Sequence, residues 1–219
     1  MIEEELSLEM NSIEKEDAYL SMDWLTVKNY EFKILVMVTC LAERDRAYRG
    51  TLSKMCNFFG VQKSGKTNEK IKQAIYSLAE KGDLTFIADG ENWILSLSTK
   101  AEKKPKIIRI KKAYIYTIKQ YKAANKNNSV AWDNVLKVFI YLYSGDDEQI
   151  RTYAQIAKVL DVSETIVKNA VKALTTIEFE NDLVVKKKIA RVKCIETNEY
   201  ITVGTKYEIR YDWDKKEVK

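Results

Sequence analysis

The chain has 219 residues, of which 46% are apolar and 32% charged, with a formal net charge of +5. That length and apolar content suit two domains of about 100 residues at least as well as one. Histidine is absent, and the three cysteines, Cys40, Cys56 and Cys194, lie far apart with no C-x-x-C pair, which argues against imidazole-dependent catalysis, a zinc site and a disulfide framework.

No apolar run is long enough to span a bilayer, and the acidic start MIEEELSLEMNSIEKED is unlike a signal peptide, so a soluble, cytoplasmic protein is expected. Neither a cofactor nor a metal nor a small-molecule substrate is implied, and the chain is not expected to be an enzyme. Charge is uneven along the sequence. Residues 1–98 hold 12 Lys and Arg against 16 Asp and Glu, residues 99–128 hold 10 against 1, and residues 129–219 hold 15 against 15. The positive excess is therefore concentrated in the middle, where a polyanion would be attracted.

In chain order, residues 1–22 read as an acidic, poorly ordered segment. Tyr30 to Leu41 (YEFKILVMVTCL) reads as an apolar helix that buries Cys40, followed by a charged loop from Arg44 to Arg49. Thr51 to Phe59 and Thr67 to Lys81 read as two further helices, the last closed by Gly82. Leu84 to Ile87 and Trp93 to Leu97 alternate as strands around Asp89-Gly90, a hairpin turn.

Residues 99–128 form a basic connector. From Pro105, Ile107, Ile110, Tyr114, Ile118 and Tyr121 recur at three- and four-residue steps with Lys111, Lys112, Lys119 and Lys122 between them, which predicts an amphipathic helix with a basic back. Strands over IIRI and YIYTI are the alternative. Such a helix packs on a domain, pairs with its copy in a dimer or lies on a membrane surface. In the first two cases Lys111, Lys112 and Lys119 line a nucleic-acid track.

After the connector, Trp132 to Tyr143 (WDNVLKVFIYLY) reads as a helix. Arg151 to Phe179 (RTYAQIAKVLDVSETIVKNAVKALTTIEF) reads as a short helix, a tight turn at Asp161-Val162-Ser163 and a longer helix capped by Ser163. Asp182 to Ile195 and Tyr200 to Trp213 read as strands around Thr197-Asn198-Glu199. This repeats the first half: KILVMV aligns with KVFIYL, Gly60-Val61 with Asp161-Val162, and IKQAIYSL with VKNAVKAL. The first copy carries five extra residues, QKSGK, at its corner. They complete GVQKSGKT, Gly60 to Thr67, a full match to the phosphate-loop pattern. The preceding MCNFF reads as helix, however, so an enlarged turn is the favoured reading and a nucleotide site the lesser one.

Helix, turn, helix and hairpin together resemble the winged-helix DNA-binding superfamily. Two copies joined by a basic connector resemble the replication initiator proteins of bacterial plasmids. The fold class expected is thus mainly α with small β-hairpin wings (α+β), with winged-helix domains at 23–98 and 129–219. The resemblance implies a cytoplasmic homodimer that binds double-stranded DNA. Its role is replication initiation for a plasmid or other mobile element, or, with the same fold, transcription regulation. A winged-helix protein-interaction module is the alternative of another class.

In the second copy, Ser163, Thr165, Lys168, Asn169 and Lys172 lie on the recognition helix, and Lys186, Lys187, Lys188, Arg191 and Lys193 lie on the wing. These types suit phosphates and base edges. In the first copy, Lys63, Lys66, Thr67, Asn68, Lys72 and Gln73 are candidate phosphate contacts, on a face that also holds Glu69 and Tyr76, but Asp83, Asp89 and Glu91 make that wing acidic.

Overall fold

A helix that is apolar on nearly every side must be wrapped by other elements rather than laid on a surface. The chain contains two such segments, and each becomes the centre of one unit. The computed structural model of the chain describes residues 17–43, 45–98, 106–125, 130–144, 150–179, 183–193 and 200–211. It is an α+β structure whose described residues include seven α-helices and three small antiparallel sheets. The chain divides into two compact units, residues 1–112 and 113–219.

In the first unit, strand β1 (Asp17–Ser21) and a 3-10 turn (Met22–Thr26) lead into helix α1 (Asn29–Leu41), where Phe32 and Ile34 through Val38 are fully buried. Strand β2 (Ala47–Thr51), helices α2 (Leu52–Phe59) and α3 (Gly65–Glu80), and the hairpin β3 (Leu84–Asp89) and β4 (Asn92–Leu97) follow. The sheet order is β2-β4-β3, all antiparallel. Strand β5 (Ile107–Lys111) returns to pair with β1, Tyr19 opposite Arg109, with an ion pair between Asp17 and Arg109.

In the second unit, helix α4 (Lys112–Ala124, its first residue at the boundary) precedes α5 (Trp132–Tyr143), the other helix buried on nearly every side, with Leu136, Phe139 and Ile140 fully buried and Asp133 and Lys137 enclosed beside them. Strand β6 (Ile150–Arg151), helices α6 (Tyr153–Leu160) and α7 (Glu164–Leu174), and the hairpin β7 (Leu183–Lys193) and β8 (Tyr200–Tyr211) complete it. The sheet order, β6-β8-β7, repeats that of the first unit. Tyr114 of α4 packs edge-on to Phe139 and Phe179, with ring centroids 6.1 and 5.7 Å away.

The two units also share their helix ends. Thr51 and Thr152 cap α2 and α6, each hydroxyl accepting from a backbone N–H three residues on. Both short helices stop at a left-handed residue, Gly60 (φ 64°) and Asp161 (φ 52°). The next amide, of Val61 or Val162, then reaches back to the carbonyl of Cys56 or Ala157 at 3.0 and 3.1 Å. Ser64 and Ser163 cap the helices that follow.

The structure departs from the sequence reading in four places. The segment at 17–21 is strand β1 within the first unit, so that unit begins before residue 23. Ala47 to Thr51, placed partly in a charged loop, is strand β2. The predicted connector helix is a strand over Ile107–Lys111, which is the alternative reading of IIRI, and a helix only from Lys112, so that the strand alternative over YIYTI is not what forms. Its β-branched Ile107, Ile108 and Ile110 suit a pleated edge, and β1 supplies the partner. Finally, the QKSGK insertion is not all turn: Ser64 to Ile71 spans three residues more than Ser163 to Val167, so α3 starts nearly one helical turn earlier and only two residues lengthen the corner. Residues 1–16, Pro105 and the turn at 197–199 lie outside the described residues.

Glu31 of α1 is buried, and the Lys81 ammonium donates to both its oxygens at 2.8 Å while the Ser77 hydroxyl donates at 2.7 Å. Burial pushes the Glu31 carboxyl up, but these hydrogen bonds and the Lys81 charge outweigh it, so the group sits below its ordinary value of 4.5. Lys81→Ala leaves a buried carboxylate short of its partner and is expected to cost about 1–3 kcal/mol in urea unfolding at pH 7. A depressed carboxylate stabilises the fold above its unfolded pKa, so this difference should shrink as the pH falls below about 4.5.

Candidate nucleic-acid interface

Helix α7 is amphipathic because Val167, Ala170, Val171 and Leu174 recur at helical spacing, and all four are buried. Ala173 is buried with them, and on the opposite side Thr165, Lys168 and Lys172 are exposed in one stripe, with half-buried Asn169 beside them. Ser163 is also exposed, but its hydroxyl oxygen accepts from the Ile166 N–H at 3.3 Å, so it holds the start of the helix.

The adjoining hairpin is long, with eleven residues in β7 and twelve in β8, and a register shift lies between Ala190 and Arg191. Leu183 and Val185 face the core, Lys186 is half-buried, and Lys187, Lys188, Arg191 and Lys193 are exposed. Lys187 is anchored: its ammonium donates to the Tyr153 hydroxyl at 2.6 Å and lies 5.0 Å from the centroid of that ring. Lys188 pairs in register with Lys206, a position the sequence reading did not include. Counting outward from a turn centred on Asn198 would set Lys188 opposite Glu208, two residues from its actual partner, which is why the pairing is not legible in the sequence.

The predicted connector lysines do not form an exposed basic track. Lys112 is buried, Lys111 is half-buried, and the Lys119 ammonium lies 5.3 Å from the Tyr116 centroid and 5.6 Å from that of Trp132. Lys112, Ala113, Tyr114 and Ile115, which together point to every side of the first turn of α4, are all buried, so the start of this helix has no outer face on which a lysine could be exposed.

In the first unit, α3 and the tip of the β3–β4 hairpin enclose a cleft of about 300 Å³ that brings together Lys63, Asn68 and Lys72 with Tyr76, Trp93 and Glu91. Lys66 and Gln73 are exposed outside its lining, and Lys72 is 3.4 Å from Glu69. The hydroxyls of Thr67 and Ser64 bond each other at 2.9 Å, and Ser64 Oγ also accepts from the Thr67 N–H at 3.1 Å. Thr67 therefore completes the cap of α3. Behind the cleft the Cys56 thiol is pushed up by burial, with Lys63 pulling weakly the other way. A second cavity of about 620 Å³, lined by Tyr19, Trp24, Val38, Leu97 and Ile107 among others, holds none of the predicted contact residues.

The phosphate-loop pattern lacks its architecture. Helix α2 ends at Gly60 where a strand should end, and the amides of Gly60 and Val61 are spent on the α2 carbonyls of Asn57 and Cys56. Among the described residues no group of Cys, Asp and Glu could hold a metal ion, and no helix is long and apolar enough to cross a membrane. No protein-family model matches the chain, and neither a curated protein nor a solved structure is significantly similar to it.

Two glycines of that pattern should separate under substitution. Gly60→Ala forces a side chain into the left-handed region and is expected to cost about 1–2 kcal/mol in thermal or urea unfolding. Gly65→Ala, on the first residue of α3 with nothing within 4 Å of the added carbon, should be neutral or stabilising by up to about 1 kcal/mol.

Proposed function

We propose that the chain is a double-stranded DNA-binding protein made of two winged-helix domains, in which α7 is the recognition helix and β7–β8 the wing of the second. The observation that carries this reading is the exposed Thr165, Lys168 and Lys172 stripe on a helix whose opposite face is sealed in the core, followed in the chain by a hairpin bearing the exposed Lys188, Arg191 and Lys193. Helix and hairpin of this kind meet a duplex together, the helix in the major groove and the hairpin along the phosphates. The shared order of helix, strand, two helices and hairpin supports the same fold for both units.

Within that class, a tandem of two unlike copies supports a cytoplasmic homodimer acting as a replication initiator for a plasmid or other mobile element. A transcription regulator is the same-fold alternative. An interaction module is favoured by one specific observation on the first unit: its hairpin exposes Ile87 at 62% and carries Asp89 and Glu91 with no Lys or Arg from 84 to 97.

Binding of labelled duplex across a salt series tests the reading. Affinity should fall linearly with log salt, and Lys168→Ala with Lys172→Ala should lower the slope by about 2 if each meets one phosphate. Asn169→Ala should weaken the preferred sequence by about 1–3 kcal/mol while leaving random duplex nearly unchanged. Salt-insensitive or absent duplex binding would contradict the proposal and leave the interaction module.

A further inference from the structure

When the repeats are superposed through IKQAIYSL and VKNAVKAL, Lys72 falls on Lys168, Gln73 on Asn169 and Tyr76 on Lys172. The first copy thus keeps one lysine and replaces the other with an aromatic ring. That ring is 46% exposed, and it is held from behind by Phe86, edge-on at 5.3 Å, and by Trp93 at 6.3 Å. A ring braced in this way offers a flat apolar face at little cost in side-chain entropy. It lines the 300 Å³ cleft whose other walls include Lys63, Asn68 and Lys72.

The tip of the hairpin faces the same cleft with Gly90 and Glu91, and an added carbon at Gly90 would meet nothing within 4 Å. A duplex lying across this surface would bring a phosphate strand against Asp89 and Glu91, with no cation on the hairpin to receive it. A single strand brings one phosphate backbone rather than two, so it reaches the ring and the lysines while setting fewer phosphates against Asp89 and the Glu91 that shares the lining. Aromatic faces beside a lysine-lined groove are the chemistry of base stacking with backbone tracking.

We propose that this cleft is a subsite for single-stranded nucleic acid, in which one base stacks on Tyr76 and the flanking phosphates meet Lys63 and Lys72. The division between the copies is then physical: the second grips a duplex through charge along helix and hairpin, and the first holds one unpaired strand through a ring and two lysines. This inference rests on the nucleic-acid reading of the chain.

Fluorescence anisotropy of labelled oligodeoxythymidine with the full chain tests it. Tyr76→Ala and Tyr76→Leu are each expected to weaken binding about tenfold, and Tyr76→Phe to stay within about twofold of the parent. Lys63→Glu with Lys72→Glu should weaken it as well. Duplex binding should be unaffected by Tyr76→Leu and reduced by Lys168→Ala with Lys172→Ala, so failure of the duplex reading registers separately. Unchanged oligodeoxythymidine binding in Tyr76→Leu, equal losses for single strand and duplex, or a Tyr76→Phe as weak as Tyr76→Leu would overturn the proposal, and so would a cleft that takes a protein partner but no oligonucleotide.

Discussion

Everything on the outer face of each unit depends on one short piece of strand pairing. Strand β2 joins β4, Ala47 opposite Ser96 through Thr51 opposite Asn92, and β6 joins β8 through only two pairs, Ile150 with Lys206 and Arg151 with Thr205. Each strand runs directly into a threonine cap and then into the first helix of the corner. A hairpin on its own is marginal in water. The third strand ties it to the corner, fixing the direction of the hairpin strands within the unit. Without that tether a lysine-bearing hairpin would carry charge but no direction.

The corner is equally constrained. Two helices can cross closely only if the first stops sharply, and a left-handed residue with a back-reaching amide provides the stop in both units. Glycine adopts that conformation freely, whereas Asp161 does so with strain that a short polar side chain tolerates. From this common corner the two copies diverge. The first inserts two residues into the turn and starts the next helix three residues earlier, which leaves Lys63 and Lys66 exposed and a cleft against the hairpin tip. The second keeps the turn minimal and extends the hairpin instead.

How much of this the sequence disclosed follows from the range of the interactions involved. Helix α5 is legible to the residue because its ends and apolar run are local, and Ser163 is legible as a cap for the same reason. The small strands are not. β1 finds its partner about ninety residues away in β5, so IIRI alone reads as strand or as helix, and Ile107 and Ile110 fit a helical stripe with Tyr114 and Ile118. Running the helix back over that strand put Lys112 on an outer face, whereas it opens α4 in a first turn that is buried all round. The outward stripe on α7 needed only the 3.6-residue period, whereas the cleft beneath Tyr76 needed the hairpin tip and the helix to be brought together in space.

The most direct test of the central claim is lysine footprinting by acetylation, read residue by residue with mass spectrometry, on the full chain with and without saturating duplex DNA. Protection should gather at Lys168, Lys172, Lys188 and Lys193, while the buried Lys112 reacts slowly in both samples. Unprotected lysines on α7 and β7 beside protected ones elsewhere would contradict the account.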